Sequence, residues 1–309
     1  MTKKIKVVEV GPRDGLQNEP NPLTVGERLE FIKKLSLAGI SYIEAGAFVS
    51  PKWVPQMAGS SKVLKRILAA QKKQKLFKNI TYSALVPNSR GMDDALAVGL
   101  KEVAIFGAAS ETFSKKNINC SVADSMVRFQ DVLKMAQKNK VKVRAYLSTA
   151  FGCPYEGEVS EKKVVEIVRS LHKMGAYEIS IGDTIGVATP RQVKRLVEKL
   201  KVAIPVKKLA MHFHDTRGTA LANVYASIEM GISTFDSSTG GLGGCPYARG
   251  ASGNLGTEDL VYMLDGMGLA TGIDLAKLIR IKMWIEHKLG RPLPSHVGKA
   301  GLPLPGTLR

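Results

Sequence analysis

The sequence feature that most constrains the fold is a regular alternation of short β-rich runs with amphipathic stretches. Between the runs, apolar residues recur at helical spacing. Strands that alternate with helices favour parallel pairing, and eight such units predict an α/β fold, a closed (β/α)8 TIM barrel. The predicted strands are Lys6–Val10, Tyr42–Ala45, Thr81–Val86, Glu102–Phe106, Val141–Leu147, Tyr177–Ile181, Lys208–Phe213 and Ser233–Asp236. The amphipathic stretches include Val25–Ala38, Ser121–Gln137, Glu161–Met174, Pro190–Leu200 and Thr219–Met230.

Glycine marks the joints between these units. It follows a predicted helix and precedes the next strand at Gly39, Gly99, Gly175 and Gly231. Glycine is common at this position because it readily adopts the left-handed conformation that ends a helix. An open, doubly wound sheet is the main alternative. No Gly-x-Gly-x-x-Gly turn follows the first strand, and this disfavours the open sheet.

The residues beyond the eighth strand predict additional C-terminal helices. Thr257–Leu264 and Leu275–Leu289 are amphipathic, and no linker or low-complexity segment precedes them. We expect them to pack against the barrel. The sequence therefore predicts a single catalytic domain over residues 1-309, with the barrel at about 5-240 and an active-site loop and helices at about 240-309.

Composition narrows the class of protein and its compartment. Hydrophobic residues make up 44% and charged residues 23% of the 309 residues, which is typical of a globular protein. No apolar run approaches the roughly 20 residues that a membrane span needs, and the amino terminus lacks the apolar stretch of a signal peptide. Three cysteines are too few for a disulfide framework and fit a reducing compartment. We expect a cytoplasmic protein with no signal or transit peptide and no membrane partner.

The formal net charge of +18 has three interpretations. It reflects a general basic bias, a nucleic-acid-binding surface, or attraction of an anionic substrate such as a coenzyme A ester. The densest run, Lys62–Lys78, holds seven basic residues and no acid, with apolar residues at helical spacing, and predicts a solvated helix face. No nucleic-acid motif is present and aromatic residues are only 6%, so no nucleic-acid partner is expected.

The informative polar residues follow the predicted strands. In a barrel of this type, the loops after the strands form the active face. Polar residues that are far apart in the chain are therefore expected to lie close together at this end of the barrel, its mouth. The polar residues that follow the predicted strands are Arg13 and Asp14 after strand one, Glu44 at the end of strand two, Asp183 after strand six, His212 and His214 at the end of strand seven, and Asn254 in the glycine-rich loop after strand eight.

His212 and His214 predict a metal site. Residues two apart on a strand face the same side, so both imidazoles point together. Oxygen atoms of Asp14 and Asn254 complete a mixed set that suits an octahedral divalent ion, Mg²⁺ or Mn²⁺. Zinc is disfavoured because no cysteine has ligand spacing to these histidines. The alternative is a pair of hydrogen-bonded polar residues at a strand end.

Arg13 and the glycine-rich loop supply further candidate groups. A guanidinium at the mouth can neutralise an enolate or bind a carboxylate, and the alternative is a salt bridge to Glu44 or Asp183. Gln17 is a candidate for substrate hydrogen bonding. Cys245 can exchange a proton near neutral pH, or it is an unreactive loop thiol. The other two cysteines, Cys120 and Cys153, are expected to be structural.

Seven motifs combine the candidate residues with their neighbours. They are Gly11-Pro-Arg-Asp-Gly-Leu-Gln-Asn-Glu19, Ile43-Glu-Ala, Phe48-Val-Ser-Pro-Lys-Trp-Val-Pro-Gln56, Phe106-Gly-Ala-Ala-Ser110, Lys115-Lys-Asn-Ile-Asn-Cys-Ser121, His212-Phe-His-Asp-Thr216 and Gly240-Gly-Leu-Gly-Gly-Cys-Pro-Tyr247. Together they resemble the 3-hydroxy-3-methylglutaryl-CoA lyase family, a branch of the metal-dependent TIM-barrel lyases and Claisen-condensing enzymes. The resemblance covers about residues 5 to 300. The cysteine in the glycine-rich loop favours the lyases over the synthases.

The resemblance implies a role for each candidate residue. It implies that the metal ligands are Asp14, His212, His214 and Asn254, and that Arg13 and Cys245 are catalytic, with Glu44 and Asp183 as active-site acids. It also implies a divalent cation, an acyl-CoA substrate, a homodimer, and cleavage of 3-hydroxy-3-methylglutaryl-CoA to acetyl-CoA and acetoacetate, as in leucine degradation. The general base is left open between His212 and Asp14.

Two other functions stay open at this point. The first is a related lyase that acts on a longer or branched 3-hydroxyglutaryl-CoA. The residues that line the pocket decide between this substrate and 3-hydroxy-3-methylglutaryl-CoA. The second alternative is an inactive, basic nucleic-acid-binding protein. The presence of every expected catalytic residue argues against it.

Overall fold

Eight parallel strands close into a barrel in a computed structural model, which describes residues 4–244 and 253–303. Each strand pairs with the next along the chain, and β8 pairs with β1, placing Lys6 opposite Thr234 and Glu9 opposite Ser237. The predicted barrel is confirmed, and the open sheet is excluded. The strands are β1 (Lys6–Glu9), β2 (Tyr42–Ala47), β3 (Thr81–Leu85), β4 (Glu102–Ala108), β5 (Lys142–Ser148), β6 (Glu178–Asp183), β7 (Leu209–Phe213) and β8 (Thr234–Ser237).

Helices surround the barrel and pack apolar residues of one face against the strands. Eight of them lie between β1 and β8: α1 (Val25–Leu37), α2 (Ser60–Lys73), α3 (Ser89–Val98), α4 (Glu111–Ile118), α5 (Val122–Lys138), α6 (Glu161–Met174), α7 (Pro190–Ala203) and α8 (Ala220–Glu229). At the start of α1, the Thr24 hydroxyl accepts the backbone N–H of Glu27, and the Glu27 carboxylate accepts that of Thr24. This reciprocal capping fixes where the helix begins.

The basic run at 62–78 is a helix over only part of its length. Helix α2 ends at Lys73, and a 3₁₀ turn, Lys75–Phe77, follows it. The predicted solvated face is present, because Val63, Leu64 and Ile67 are buried while the basic residues of α2 point outward. The helix stops early because Gln74 adopts an extended conformation, which a helix cannot continue through.

The eight strands are confirmed, but their bounds differ from the prediction by one or two residues, and two of the differences concern site residues. Glu44 does not end β2; the strand continues to Ala47, with an irregular register between Glu44 and Ala47. Asp183, predicted to follow a strand that ends at Ile181, is instead the last residue of β6. The added residues, glycine and alanine in β2 and glycine and aspartate in β6, do not continue the β-rich pattern, although their backbones still belong to the strands.

The predicted C-terminal helices are α9 (Thr257–Gly266) and α10 (Leu275–Leu289), and a short α11 (His296–Ala300) follows. On α10, the Trp284 ring stacks on Phe31 of α1 with centroids 6.0 Å apart. At the start of α9, the Glu258 carboxylate accepts the backbone N–H of Gly240 at 2.8 Å. These contacts attach the C-terminal helices to α1 and to the turn after β8. Among the described residues, no helix combines the length and apolar character that crossing a membrane requires.

One glycine joint is sterically obligatory and provides a stability test. Gly39 has φ 94°, and a Cβ atom there would lie 2.3 Å from the carbonyl oxygen of Gly272. Gly99 has a similar φ of 88° but nothing within 4 Å of a Cβ. We expect Gly99→Ala to lose about 1–2 kcal/mol of unfolding free energy from the left-handed backbone alone. Gly39→Ala should lose clearly more because of the clash. Urea unfolding of both variants measures this, and equal losses would contradict the steric argument.

Candidate active site

The four predicted metal ligands come together at the carboxyl ends of the strands. Asp14 lies in a tight turn, Gly11–Gly15, directly after β1, His212 lies in β7, and His214 follows that strand. One potential ligand atom from each of these three residues lies within 4.8 Å of the others. Asn254 pairs with His214 through a backbone bridge, and its Nδ2 donates to Asp14 Oδ2 at 2.9 Å. Two imidazoles, a carboxylate and an amide therefore form one cluster.

The cluster has the electronic character of a cation site. Asn254 Oδ1 and His214 Nδ1 are buried and have no hydrogen-bond partner. Burial, together with neighbouring His212, lowers the pKa of His214 to about 4, so that this imidazole is neutral. Burial opposes the charge of Asp14, but Arg13 and the two histidines still lower its pKa and keep it ionised. A neutral imidazole, a carboxylate and a free amide oxygen are the forms in which these groups bind Mg²⁺ or Mn²⁺.

Arg13 is buried beside this cluster and is held by two carboxylates. Its Nε lies 2.6 Å from Glu44 Oε2, and its Nη1 lies 2.7 Å from Asp14 Oδ1. Burial works against the charged guanidinium, but Glu44 and Asp14 raise its pKa. Arg13 also lines the cavity described below. The salt bridge to Glu44 therefore does not exclude a role toward substrate; it fixes the orientation of the guanidinium.

The two other predicted acids are engaged differently. Glu44 is fully buried behind Arg13, and its second oxygen has no partner. Asp183 accepts the backbone N–H groups of Val187 and Ala188, each at 3.0 Å, and so holds the turn after β6. Burial raises the pKa of Asp183. Both carboxylates are buried, and neither belongs to the described residues that line the cavity.

A cavity of about 860 Å³ opens above the cluster. Its buried end is formed by Arg13, Asp14, His212 and His214, and Gln17 is also part of the lining. Apolar residues also contribute to the lining, among them Leu85, Phe106, Phe113, Phe129 and Leu147. Exposed cations lie on the lining at Lys115, Lys116 and Arg128. The cavity lining thus combines the polar ligand cluster, apolar side chains and positive charge.

The predicted catalytic thiol, Cys245, lies outside the described residues. Its neighbour Gly244 lines the cavity, and the Gly244 carbonyl accepts a hydrogen bond from Asn18 at 3.0 Å. The chain therefore leaves β8 and enters the glycine-rich loop at the cavity. The other cysteines, Cys120 and Cys153, are buried, in agreement with the structural role expected for them.

Sequence reasoning missed two buried acids that support the cluster. The Glu9 carboxylate accepts the N–H groups of Gly11 and Thr239 and the hydroxyls of Thr239 and Thr257, which joins the ends of β1 and β8. Asp236 of β8 lies 3.3 Å from His212 Nδ1. The available signal was an acidic residue inside an otherwise apolar, buried strand, because such a residue must have a specific partner.

The ligand cluster predicts a measurable metal affinity. Removing a ligand weakens the site because its atom is not replaced. Loss even of a residue that only supports a ligand typically costs about 10- to 100-fold in affinity. We expect His214→Ala to bind Mn²⁺ at least about 10-fold more weakly in a spin-resonance titration. His287→Ala, the same change at an exposed position on α10, is the control. Equal affinity in the two variants would exclude His214 as a ligand.

Comparisons with known proteins agree with this geometry. The HMGL-like family model matches residues 4–285. A mitochondrial hydroxymethylglutaryl-CoA lyase of Pongo abelii is 53% identical over 97% of this chain and 90% of that protein. A 3-hydroxy-3-isohexenylglutaryl-CoA/hydroxy-methylglutaryl-CoA lyase of Pseudomonas aeruginosa is 50% identical over 97% of this chain and 98% of that protein.

Solved structures give the same result. The crystal structure of hydroxymethylglutaryl-CoA lyase from Pseudomonas aeruginosa superimposes with a TM-score of 0.91 at 50% identity, covering 97% of this chain and 98% of that chain. An HMG-CoA lyase from Acinetobacter baumannii, in complex with coenzyme A and 3-methylmalate, gives 0.91 at 39% identity, covering 98% of this chain and 96% of that chain.

Proposed function

This chain belongs to the HMGL-like family, and we propose from that premise that it cleaves 3-hydroxy-3-methylglutaryl-CoA to acetyl-CoA and acetoacetate in a divalent-cation-dependent reaction. The observation that carries the proposal is the placement of Arg13 beside the cluster of Asp14, His212 and His214 at the floor of one cavity. Lyases of this substrate share about half of their residues with the chain over nearly its whole length.

The metal ligands we propose are Asp14, His212, His214 and Asn254, with Mg²⁺ or Mn²⁺ as the ion. When bound, the cation supplies Lewis-acid polarisation of the hydroxyl and carboxylate oxygens of the substrate. The unpartnered Asn254 Oδ1 and His214 Nδ1 support this assignment, because buried polar atoms are rarely left without a partner. Gln17 adds a hydrogen-bonding group on the cavity wall.

The residues of the chain supply a proton acceptor, a group that stabilises negative charge and a proton donor for the cleavage. Asp14, or His212 in a form whose Nε2 is free of the cation, takes the proton of the C3 hydroxyl, the C2–C3 bond breaks, and its electron pair passes to the thioester as an enolate. Arg13 donates hydrogen bonds to the thioester oxygen as negative charge grows there. The Cys245 thiol then donates a proton to the enolate carbon, which yields acetyl-CoA. Glu44 contributes by holding Arg13, and Asp183 by holding the turn after β6.

The positive charges of the cavity lining also support an acyl-CoA substrate. The phosphates of coenzyme A are anionic, and Lys115, Lys116 and Arg128 provide exposed positive charge on the same lining. The overall charge of +18 attracts such a substrate over a longer distance. The alternative of an inactive nucleic-acid-binding protein is set aside, because sequence and structure match the lyases along nearly the entire chain.

A second substrate is favoured by the apolar residues of the cavity lining together with one relative. Leu85, Phe106, Phe113, Phe129 and Leu147 are apolar members of the lining and would suit a longer alkyl group on C3. The Pseudomonas aeruginosa relative is named for both an isohexenyl and a methyl substrate. Comparing kcat/KM for 3-hydroxy-3-methylglutaryl-CoA and for an analogue with a longer C3 chain decides whether the cavity accepts the longer chain.

Three broader properties complete the proposal. We propose a single catalytic domain over residues 1-309 and a homodimer whose interface involves the C-terminal helices, where Met283 of α10 is exposed. We propose a cytoplasmic location; relatives named as mitochondrial and as cytoplasmic are both similar to the chain. Leucine degradation is the pathway that we propose for the reaction.

The reaction itself is tested by product release. We expect the purified protein, kept reduced, to release acetoacetate and acetyl-CoA from 3-hydroxy-3-methylglutaryl-CoA with Mg²⁺ or Mn²⁺ present. EDTA should abolish the release, and added cation should restore it, because the oxygens of the substrate are then polarised again. Release that persists unchanged after EDTA treatment would contradict the cation dependence. Absence of release in the presence of cation would contradict the substrate.

Replacing Arg13 should lower turnover strongly. Arg13→Met removes the donor to the developing enolate, and loss of one such donor typically lowers kcat by about 10²- to 10³-fold. We expect a drop of at least about 10²-fold. Arg169→Met, an exposed position on α6, is the matched control and should retain activity. Thermal melting checks that the variant folds, and near-normal turnover in folded Arg13→Met would rule out this role.

A further inference from the structure

A buried carboxylate lies directly behind one of the proposed metal ligands. The Asp236 side chain, on β8, has no solvent exposure, and its Oδ2 lies 3.3 Å from His212 Nδ1. Ser180 of β6 donates its hydroxyl to the same oxygen at 2.6 Å. Arg144 of β5 places Nη2 2.8 Å from the other oxygen, Oδ1. Three side chains from three different strands thus hold the carboxylate in one orientation.

Arg144, the cationic partner of Asp236, is itself held in place by another buried acid. Arg144 is fully buried, and its Nε donates to Glu178 Oε1 at 2.7 Å. Glu178 also binds the Lys6 ammonium of β1 at 3.0 Å. Charges of alternating sign therefore run from Lys6 through Glu178 and Arg144 to Asp236. An unpaired buried charge is strongly unfavourable, so each member restricts the position of the next.

The hydrogen bond from His212 determines which ring nitrogen carries the proton. A carboxylate only accepts hydrogen bonds, so Nδ1 must be the protonated nitrogen of a neutral His212 that is bonded to Asp236. Nε2 is then unprotonated and has a lone pair for a ligand. We propose that Asp236 is a positioning residue that holds His212 in this tautomer and orientation and so prepares Nε2 to bind the cation. The proposal rests on the metal centre proposed above.

The substitution Asp236→Asn tests this tautomer directly. The cationic Arg144 favours the amide oxygen on its own side, which turns the amide NH₂ toward His212 Nδ1. A donor at that position requires an unprotonated Nδ1 and moves the ring proton to Nε2, where it blocks the lone pair. We expect Mn²⁺ affinity to fall by about 10- to 100-fold, the usual effect of losing a residue that orients a metal ligand.

The matched control is Glu178→Gln. Glu178 is a buried acid that contacts the same arginine from its other side, and none of its hydrogen bonds goes to His212. This variant should lose thermal stability, because Arg144 loses a charged partner, but its Mn²⁺ affinity should stay close to that of the unsubstituted protein. A merely structural role for Asp236 predicts instead that both variants lose stability and affinity together.

A second measurement needs no variant and no metal. Nitrogen-15 NMR of histidine-labelled, metal-free protein distinguishes the two tautomers, and we expect Nδ1–H for His212 in the unsubstituted protein and Nε2–H in Asp236→Asn. Nε2–H in the unsubstituted protein would overturn the proposal even if the variant failed to fold. Unchanged Mn²⁺ affinity in folded Asp236→Asn would also overturn it. If the unsubstituted protein does not bind Mn²⁺, the proposed metal centre is wrong. The tautomer of His212 in the metal-free protein would then still decide whether Asp236 orients this ring.

Discussion

The structure depends on the pairing of buried charges inside the barrel. Arg13 and Arg144 are both removed from water, and carboxylates within reach of each guanidinium offset the cost of burying its charge. Arg13 therefore draws Glu44 and Asp14 together, and Arg144 draws Asp236 and Glu178 together. These contacts involve four strands and the turn after β1. The positions of the catalytic groups follow from charge neutralisation as much as from the apolar core.

Barrel closure serves the same site. The Glu9 carboxylate joins the turn after β1 to Thr239 and Thr257 after β8. Asp14 and Asn254, which are distant in sequence, approach each other only because these two ends meet. The contacts that join the end of β1 to the end of β8 therefore also bring two proposed metal ligands together. Disturbing these contacts should alter the ligand cluster before it disrupts the apolar core.

The sequence predicted the barrel, because the alternation of strand and helix is a local pattern that repeats eight times, and glycine marks four of the joints. It also predicted the polar residues at the mouth, since the topology of a barrel brings strand ends together. It did not reveal Glu9 or Asp236, whose significance depends on partners on other strands. The sequence also could not distinguish what the side chains of Arg13 and Asp183 contact. Both are polar residues near strand ends, but only contacts show that Arg13 reaches the cavity while Asp183 holds a turn.

The most direct test of this account is anomalous X-ray diffraction from a crystal of the protein grown with Mn²⁺. We expect one strong anomalous peak at the carboxyl ends of the strands, within coordination distance of Asp14, His212, His214 and Asn254. We also expect His212 to face the ion through Nε2. A cavity without an anomalous peak at saturating Mn²⁺, or a peak held by other residues, would contradict it.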